Sequence, residues 1–243
     1  MLFGSNVIKG HNQNIYRIYN GPALNVPAGF PGGGNKVPQG IVPYVSFRPD
    51  ITAVNAGTLD QPIRDYFTSA PAGSLITAWH EGNLPKHRLD PATVTTMHAR
   101  LLRLAREANP HIFYGEVFGT YRVYTSGQQL AEWTAPGLDF YGFDGYQAAP
   151  QQTVQEVFGE AVSQVLKAIK FDGKLIITET NVQPAAIQLH QEAWLTAVLD
   201  YAIQGDFAGF LWYEESADNA APIPVALANR LGIMAAVAPL GRI

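Results

Sequence analysis

Residues Ser74–Asn83 read SLITAWHEGN. The run from Ser74 to Trp79 is apolar without strict alternation, as expected of a strand covered on both faces. His80, Glu81, Gly82 and Asn83 follow at once. A strand of this kind belongs to a parallel sheet flanked by helices. In a closed sheet of that type the reactive groups sit at the C-terminal ends of the strands. The stretch therefore predicts both an architecture and a place to look for chemistry.

Working outward, similar short runs recur along the chain: Leu2–Val7, Asn14–Tyr19, Gly40–Phe47, His111–Val117, Leu138–Phe143, Lys174–Thr178 and Ala208–Tyr213. Helical signals fill the later gaps. Asp90 and Pro91 stand as N-cap and first helical residue ahead of a stripe of Val94, Met97, Leu101 and Leu104 that ends before Pro110. Thr153 and Glu156 form a capping box opening a helix through Val157, Val162, Val165 and Ile169 toward Gly173. Ile187–Ile203 and Val225–Val237 read as further helices, and Thr58–Phe67 as a weaker one. Strands alternating with helices predict an α/β fold, a single (β/α)8 TIM barrel over residues 1–243, with no linker and no internal repeat. The N-terminal third fits less regularly. The gap between the first two runs is short for a parallel crossover, and Pro22–Pro38, with GFPGGGNK, is loop-like. Either the early helices are reduced, or the first two strands form a hairpin.

Composition narrows the function. Of 243 residues only 15% are charged, against about 25% in an average protein, so each placed carboxylate is informative. A formal net charge of −4 disfavours a nucleic-acid backbone as partner. No like-charge run, basic amphipathic helix or bilayer-length apolar stretch points to a membrane, and the N-terminus lacks a basic-then-apolar leader. With no cysteine, disulfides, thiolate metal sites and a thiol nucleophile are excluded together. Gly32, Gly33 and Gly34 lack the GxGxxG and GK[ST] contexts of a phosphate cradle, and no GxSxG elbow occurs. HEGNLPKH lacks the HExxH spacing of a zinc hydrolase.

The strand ends carry Arg48 and Asp50 on the third strand, Glu81 on the fourth, Glu116 on the fifth, Asp144 and Tyr146 on the sixth, Glu179 and Asn181 on the seventh, and Trp212 with Glu214 and Glu215 on the eighth. Strands four and seven lie across a barrel mouth from each other. Two opposed carboxylates are what glycosidic cleavage requires, one to protonate the leaving oxygen and one to attack or to activate water. Glu116 and Asp144 are expected as supporting or substrate-binding acids, and either could instead be the second carboxylate. Structural salt bridges at the barrel rim are the competing explanation for any of these acids.

The motifs WHE, FDGY, ITET and FLWYE, in this order on these strands, resemble the large clan of retaining glycoside hydrolases built on a (β/α)8 barrel. The His before the strand-four Glu is most similar to the β-mannanase-type family. That resemblance implies Glu81 as general acid/base with His80 beside it, and Glu179 as nucleophile. It implies Tyr146 as a hydrogen-bond partner of the nucleophile and Trp212 as an aromatic platform beneath the sugar. Arg48 is the nearest candidate for an arginine that such barrels often carry early. It further implies a polysaccharide or oligosaccharide substrate, no cofactor or metal, a monomer and an extracellular setting. The alternative function is a non-catalytic glycan-binding barrel, such as an adhesin or a phage or cell-surface recognition protein.

Overall fold

The computed structural model describes residues 2–5, 13–20, 24–32, 36–170, 172–182 and 190–213. Their frame is a parallel sheet of β1 (Leu2–Ser5), β2 (Ile15–Tyr19), β3 (Val42–Phe47), β4 (Leu75–Ala78), β5 (Phe113–Gly119), β6 (Phe140–Gln147), β7 (Lys174–Val182) and β8 (Gly209–Trp212). Each strand pairs in parallel with the next, and β1 pairs with β8 from Leu2↔Gly209 to Ser5↔Trp212, so the sheet curls round and closes. The β1–β2 pairing is parallel through Gly4↔Ile15 and Ser5↔Tyr16, which removes the hairpin alternative. Among the described residues no helix lies between β1 and β3, so the early crossovers are reduced.

Helices cover the outside from β3 onward: α1 (Ile51–Ala56), α2 (Asp60–Thr68), α3 (Pro91–Ala108), α4 (Tyr121–Ser126), α5 (Glu160–Ala168) and α6 (Gln191–Gln204). The Asp90 carboxylate accepts from the Thr93 N–H at 2.9 Å and starts α3. Thr153 and Glu156 exchange backbone-to-side-chain hydrogen bonds of 2.7 and 3.2 Å, the reciprocal pattern of a capping box. Behind that box the chain winds as a π turn over Gln155–Gly159 before α5. The weak helix expected over Thr58–Phe67 is instead two short helices. Asp50 caps α1 and Gly57, at φ 82°, ends it in the left-handed region that a side chain would resist. Within the described residues the helix expected from Ile187 begins at Gln191. The expected helix Val225–Val237, the strand beyond Ser5, and Glu214 and Glu215 lie outside them. Among the described residues no helix is long and apolar enough to cross a membrane.

Side chains alternate between the barrel interior and the helix layer, as the period of two in a strand dictates. Ile15, Tyr44, Leu75, Val117, Phe140, Ile176 and Leu211 form an apolar plug inside the lower barrel. Their outward neighbours, among them Phe47, Ile76, Tyr114, Phe143, Ile177 and Phe210, pack against the helices in the larger core. One step above the plug the lining turns polar with Arg17, Ser46, Thr77, Asp144 and Thr178, all at most 3% exposed. The mouth opens above that layer.

Candidate active site

The mouth is a cleft of about 670 Å³ lined by Tyr19, His80, Glu81, Lys86, Tyr121, Tyr124, Asp144, Tyr146, Glu179 and Tyr213 among others. Glu179 reaches it through a bulge. Phe143 pairs with Ile177, but Asp144 pairs with Glu179, so Thr178 is an extra residue in β7. Thr178 and Glu179 then both turn toward the interior, and the Thr178 hydroxyl donates to Asp144 Oδ1. Gly142 makes room for this, since a Cβ there would come within 2.6 Å of the Thr178 methyl.

The Glu179 carboxylate, 7% exposed, is held at both oxygens. Tyr19 donates to Oε1 at 2.6 Å and Tyr146 to Oε2 at 2.7 Å. Arg17 stands 3.7 Å from Oε1. Burial raises the Glu179 pKa, Arg17 and the two phenols pull it back, and the charge of Glu81 across the cleft raises it again. Burial and the adjacent Glu179 push both phenols well up, so Tyr19 and Tyr146 keep their protons and remain donors. Asp144 is pushed well above the usual carboxylate range by burial and then by the Glu179 and Glu81 charges. It therefore stands neutral beside an acid with more hydrogen-bond support.

Glu81 arrives differently. β4 ends at Ala78, and Trp79 and Glu81 take left-handed backbone angles, φ 50° and 58°. Such angles cost about 1–3 kcal/mol each in a residue with a Cβ and persist only where the surroundings enforce them. Three clamps do so. Trp79 Nε1 donates to the Pro49 carbonyl at 2.7 Å, and the Glu81 N–H donates to the Val117 carbonyl at 2.9 Å. The Asn83 side-chain amide exchanges two 2.9 Å bonds with the Gly119 backbone, completing the ladder of β5 where β4 has run out. The Glu81 side chain faces the cleft, 15% exposed, and Lys86 donates to its Oε2 at 2.6 Å. His80 lies against Tyr19, ring centres 5.5 Å apart, and burial followed by the charges of Arg17, Lys86 and Arg48 holds it well below the usual imidazole range, hence neutral.

Of the residues singled out in the sequence, the structure brings Glu81, His80, Asp144, Tyr146 and Glu179 to one cleft. Four others it places elsewhere. Val117 faces the interior plug, so Glu116, one residue earlier, faces the helix layer. There its Oε2 accepts from the Ala135 N–H and its Oε1 lies 3.4 Å from His98 Nε2. Burial raises Glu116 well above and lowers His98 to about 3, so this pair is neutral. Trp212 is 1% exposed in the helix-side core, and Tyr213, the next residue, is the β8 aromatic in the cleft. Asn181 is fully buried, donating to the Tyr213 carbonyl and accepting from Gln191 of α6, and so ties β7 to its neighbours. Arg48 stacks on the Trp79 ring at 5.0 Å, outside the cleft lining.

Arg17, like Tyr19 and Tyr213, is a residue of this candidate site that the sequence reasoning passed over. It projects inward from β2, in step with Ile15 and Tyr19, and sits 3.8 Å over the Tyr44 ring. Burial works against its charge, but the neighbouring Glu179 carboxylate opposes this, and the guanidinium stays a permanent cation. The available signal was an arginine alternating with apolar residues in IYRIY, since an inward charge in such a strand needs a partner. Among the described residues the Arg17 nitrogens, Tyr44 Oη, Ser46 Oγ, Thr77 Oγ1 and Asp144 Oδ2 make no hydrogen bond, and they lie together as a buried polar layer below the carboxylates. Among the described residues no group of three His, Asp or Glu side chains could hold a metal ion.

Solved structures of glycoside hydrolases share this parallel α/β fold. A family 26 β-mannanase from Bacteroides ovatus superposes with TM-score 0.54 at 16% identity, over 79% of this chain and 67% of its own. An endo-β-1,3-glucanase of family 128 from Amycolatopsis mediterranei, bound to laminaripentaose, gives 0.59 at 11% identity over 93% and 91%. A β-glucanase from Saccharophagus degradans gives 0.53 at 11% over 81% and 68%. Identities this low establish the fold and nothing finer. No protein-family profile and no curated protein sequence matches the chain.

Proposed function

We propose that this protein is a glycoside hydrolase, a (β/α)8 barrel that cleaves a polysaccharide by a retaining, two-carboxylate mechanism. The observation that carries this is the setting of Glu179: a buried carboxylate gripped at both oxygens by Tyr19 and Tyr146, backed by Arg17, and facing the cleft shared with Glu81. Two phenol donors and a guanidinium favour the ionised form, as a nucleophile needs. Glu81, on a loop at the open rim, is placed to exchange protons. In the first step Glu81 protonates the glycosidic oxygen while Glu179 attacks the anomeric carbon, releasing the leaving-group sugar and leaving a glycosyl ester on Glu179. Glu81, now ionised, then removes a proton from water, whose oxygen displaces Glu179 and restores both acids.

Tyr213, Tyr121 and Tyr124 offer aromatic faces to sugar C–H groups along the cleft. The sequence WHE favours a β-mannan, and the mannanase and glucanases that share the fold support a β-linked polymer. The test is reducing-sugar release from β-mannans, β-glucans, xylans, arabinans and bacterial envelope glycans by wild type and Glu179→Gln. Wild-type activity that falls by about three orders of magnitude or more in the variant is expected. Equal release by both proteins would remove Glu179 from the nucleophile's role, and a product of inverted anomeric configuration, followed by NMR, would remove the covalent step.

A further inference from the structure

Lys86 sits on a single 3-10 turn, Pro85–His87, just after the acid loop. Its ammonium is 2.6 Å from Glu81 Oε2, on a side chain 57% exposed, and it lines the cleft with Leu84 and Tyr121. An ion pair this exposed contributes about 0–1 kcal/mol to stability, so stability does not explain it. The reaction proposed above needs that oxygen protonated when the glycosidic bond breaks, and a protonated Glu81 no longer balances the charge of Lys86.

The charges make the point sharper. Arg17 faces Glu179, and Asp144 is pushed toward its neutral form by burial, so among the described residues Lys86 and Glu81 are the remaining charge pair lining the cleft. Once Glu81 takes up its proton, the Lys86 ammonium is left uncompensated on the leaving-group side. Arg48, stacked on Trp79, and the half-buried His87, whose ring is 5.5 Å from Trp79, flank the same loop and supply no negative charge. Glu81 is the acid that pairs with Lys86, and its charge is the one that the proposed protonation takes away.

We infer that Lys86 is a specificity-determining residue that binds an anionic group, a carboxylate or a sulfate ester, on the leaving-group sugar. In binding it, Lys86 exchanges its contact with Glu81 for one with the substrate. This rests on the glycosidase reading above and narrows it to a polymer with negative charge on that side of the cut bond.

The experiment compares neutral β-mannan and β-1,3-glucan with their C6-oxidised, carboxylate-bearing forms and their sulfated forms. The proteins are wild type, Lys86→Met, Glu81→Gln, Glu179→Gln and a charge control, Lys174→Met, at the far end of β7. Wild type and Lys174→Met are expected to favour one anionic form over its neutral parent by about tenfold to a hundredfold in kcat/KM, the effect of one charge-assisted hydrogen bond. Lys86→Met is expected to abolish that preference by raising KM on the anionic polymer, with KM on the neutral one little changed. Preference for the carboxylated or for the sulfated form identifies the group. If wild type and Lys86→Met discriminate equally, or wild type favours the neutral polymers, while both glutamate variants are inactive, the role of Lys86 is overturned and the glycosidase reading stands. If no polymer is cleaved, or the glutamate variants remain active, the glycosidase reading fails and this inference with it.

Discussion

Replacing Tyr146 by Phe removes one hydroxyl and nothing else, and the structure says what that hydroxyl does. It donates at 2.7 Å to Glu179 Oε2, while Tyr19 holds Oε1 at 2.6 Å. A hydrogen bond to a charged group is worth about 1.5–3 kcal/mol. One pKa unit corresponds to about 1.36 kcal/mol, so losing this donor should raise the Glu179 pKa by about one to two units. The sign follows from the form being stabilised. The donor favours the carboxylate, its loss favours the acid, and the pH at which Glu179 becomes ionised moves upward. The proposed role of Glu179 as nucleophile requires the ionised form, so activity on that reading is lost as pH falls through that pKa. The acidic limb of kcat/KM against pH, which reports the free enzyme, should therefore shift to higher pH by about one unit or more in Tyr146→Phe. Tyr19→Phe should act in the same direction through the other oxygen. The assay is a full pH profile on whichever polysaccharide the panel identifies. A uniform fall in rate with the acidic limb unmoved would refute the reasoning, because the phenol would then not be acting through the charge of Glu179.

Two further expectations concern Trp212 and Glu116, which the fold takes out of the cleft. Tyr213→Ala should weaken substrate binding and raise KM with little change in stability, whereas Trp212→Ala should cost about 3–5 kcal/mol in denaturant unfolding, the usual range for a fully buried Trp; the reverse assignment would show that Trp212 faces the sugar. Glu116 has a folded pKa raised by burial, so its contribution to stability is fully present below its unfolded pKa and is lost as pH rises toward the folded one. Glu116→Gln stays neutral throughout and should melt higher than wild type at pH 8, with no gain at pH 4; a larger loss at pH 8 than at pH 4 would mean that Glu116 is ionised.

The strands and the longer helices were legible because their signals are local, whereas the short α4 was not read from the sequence. Asp90 and Pro91 announce α3, the Thr153 box announces the turn before α5, and each short apolar run became part of a strand. What the sequence hid is which way each strand residue points. A strand covered on both faces carries apolar residues on both, so FYGEVFG gives no alternation from which to read that Val117 faces in and Glu116 out. The same blindness favoured Trp212 over Tyr213. In β7 the difficulty is compounded, since regular alternation from the inward Ile176 would have turned Glu179 toward the helices. The bulge at Thr178, set by the pairing with β6, reverses that, and nothing within KLIITETN announces it. Arg17 was hidden for another reason: its partners, Tyr44 and Glu179, belong to other strands, and Glu179 lies most of the chain away.

Asn83 extends the β4 edge with a side chain where the backbone has turned aside. The location of Glu81 thus depends on the identity of one amide and not only on the path of the chain. For anyone moving this turn into another barrel, residues 79–83 are the transplantable unit. The recipient must also end its fifth strand in a residue whose N–H and C=O are both free to receive the amide.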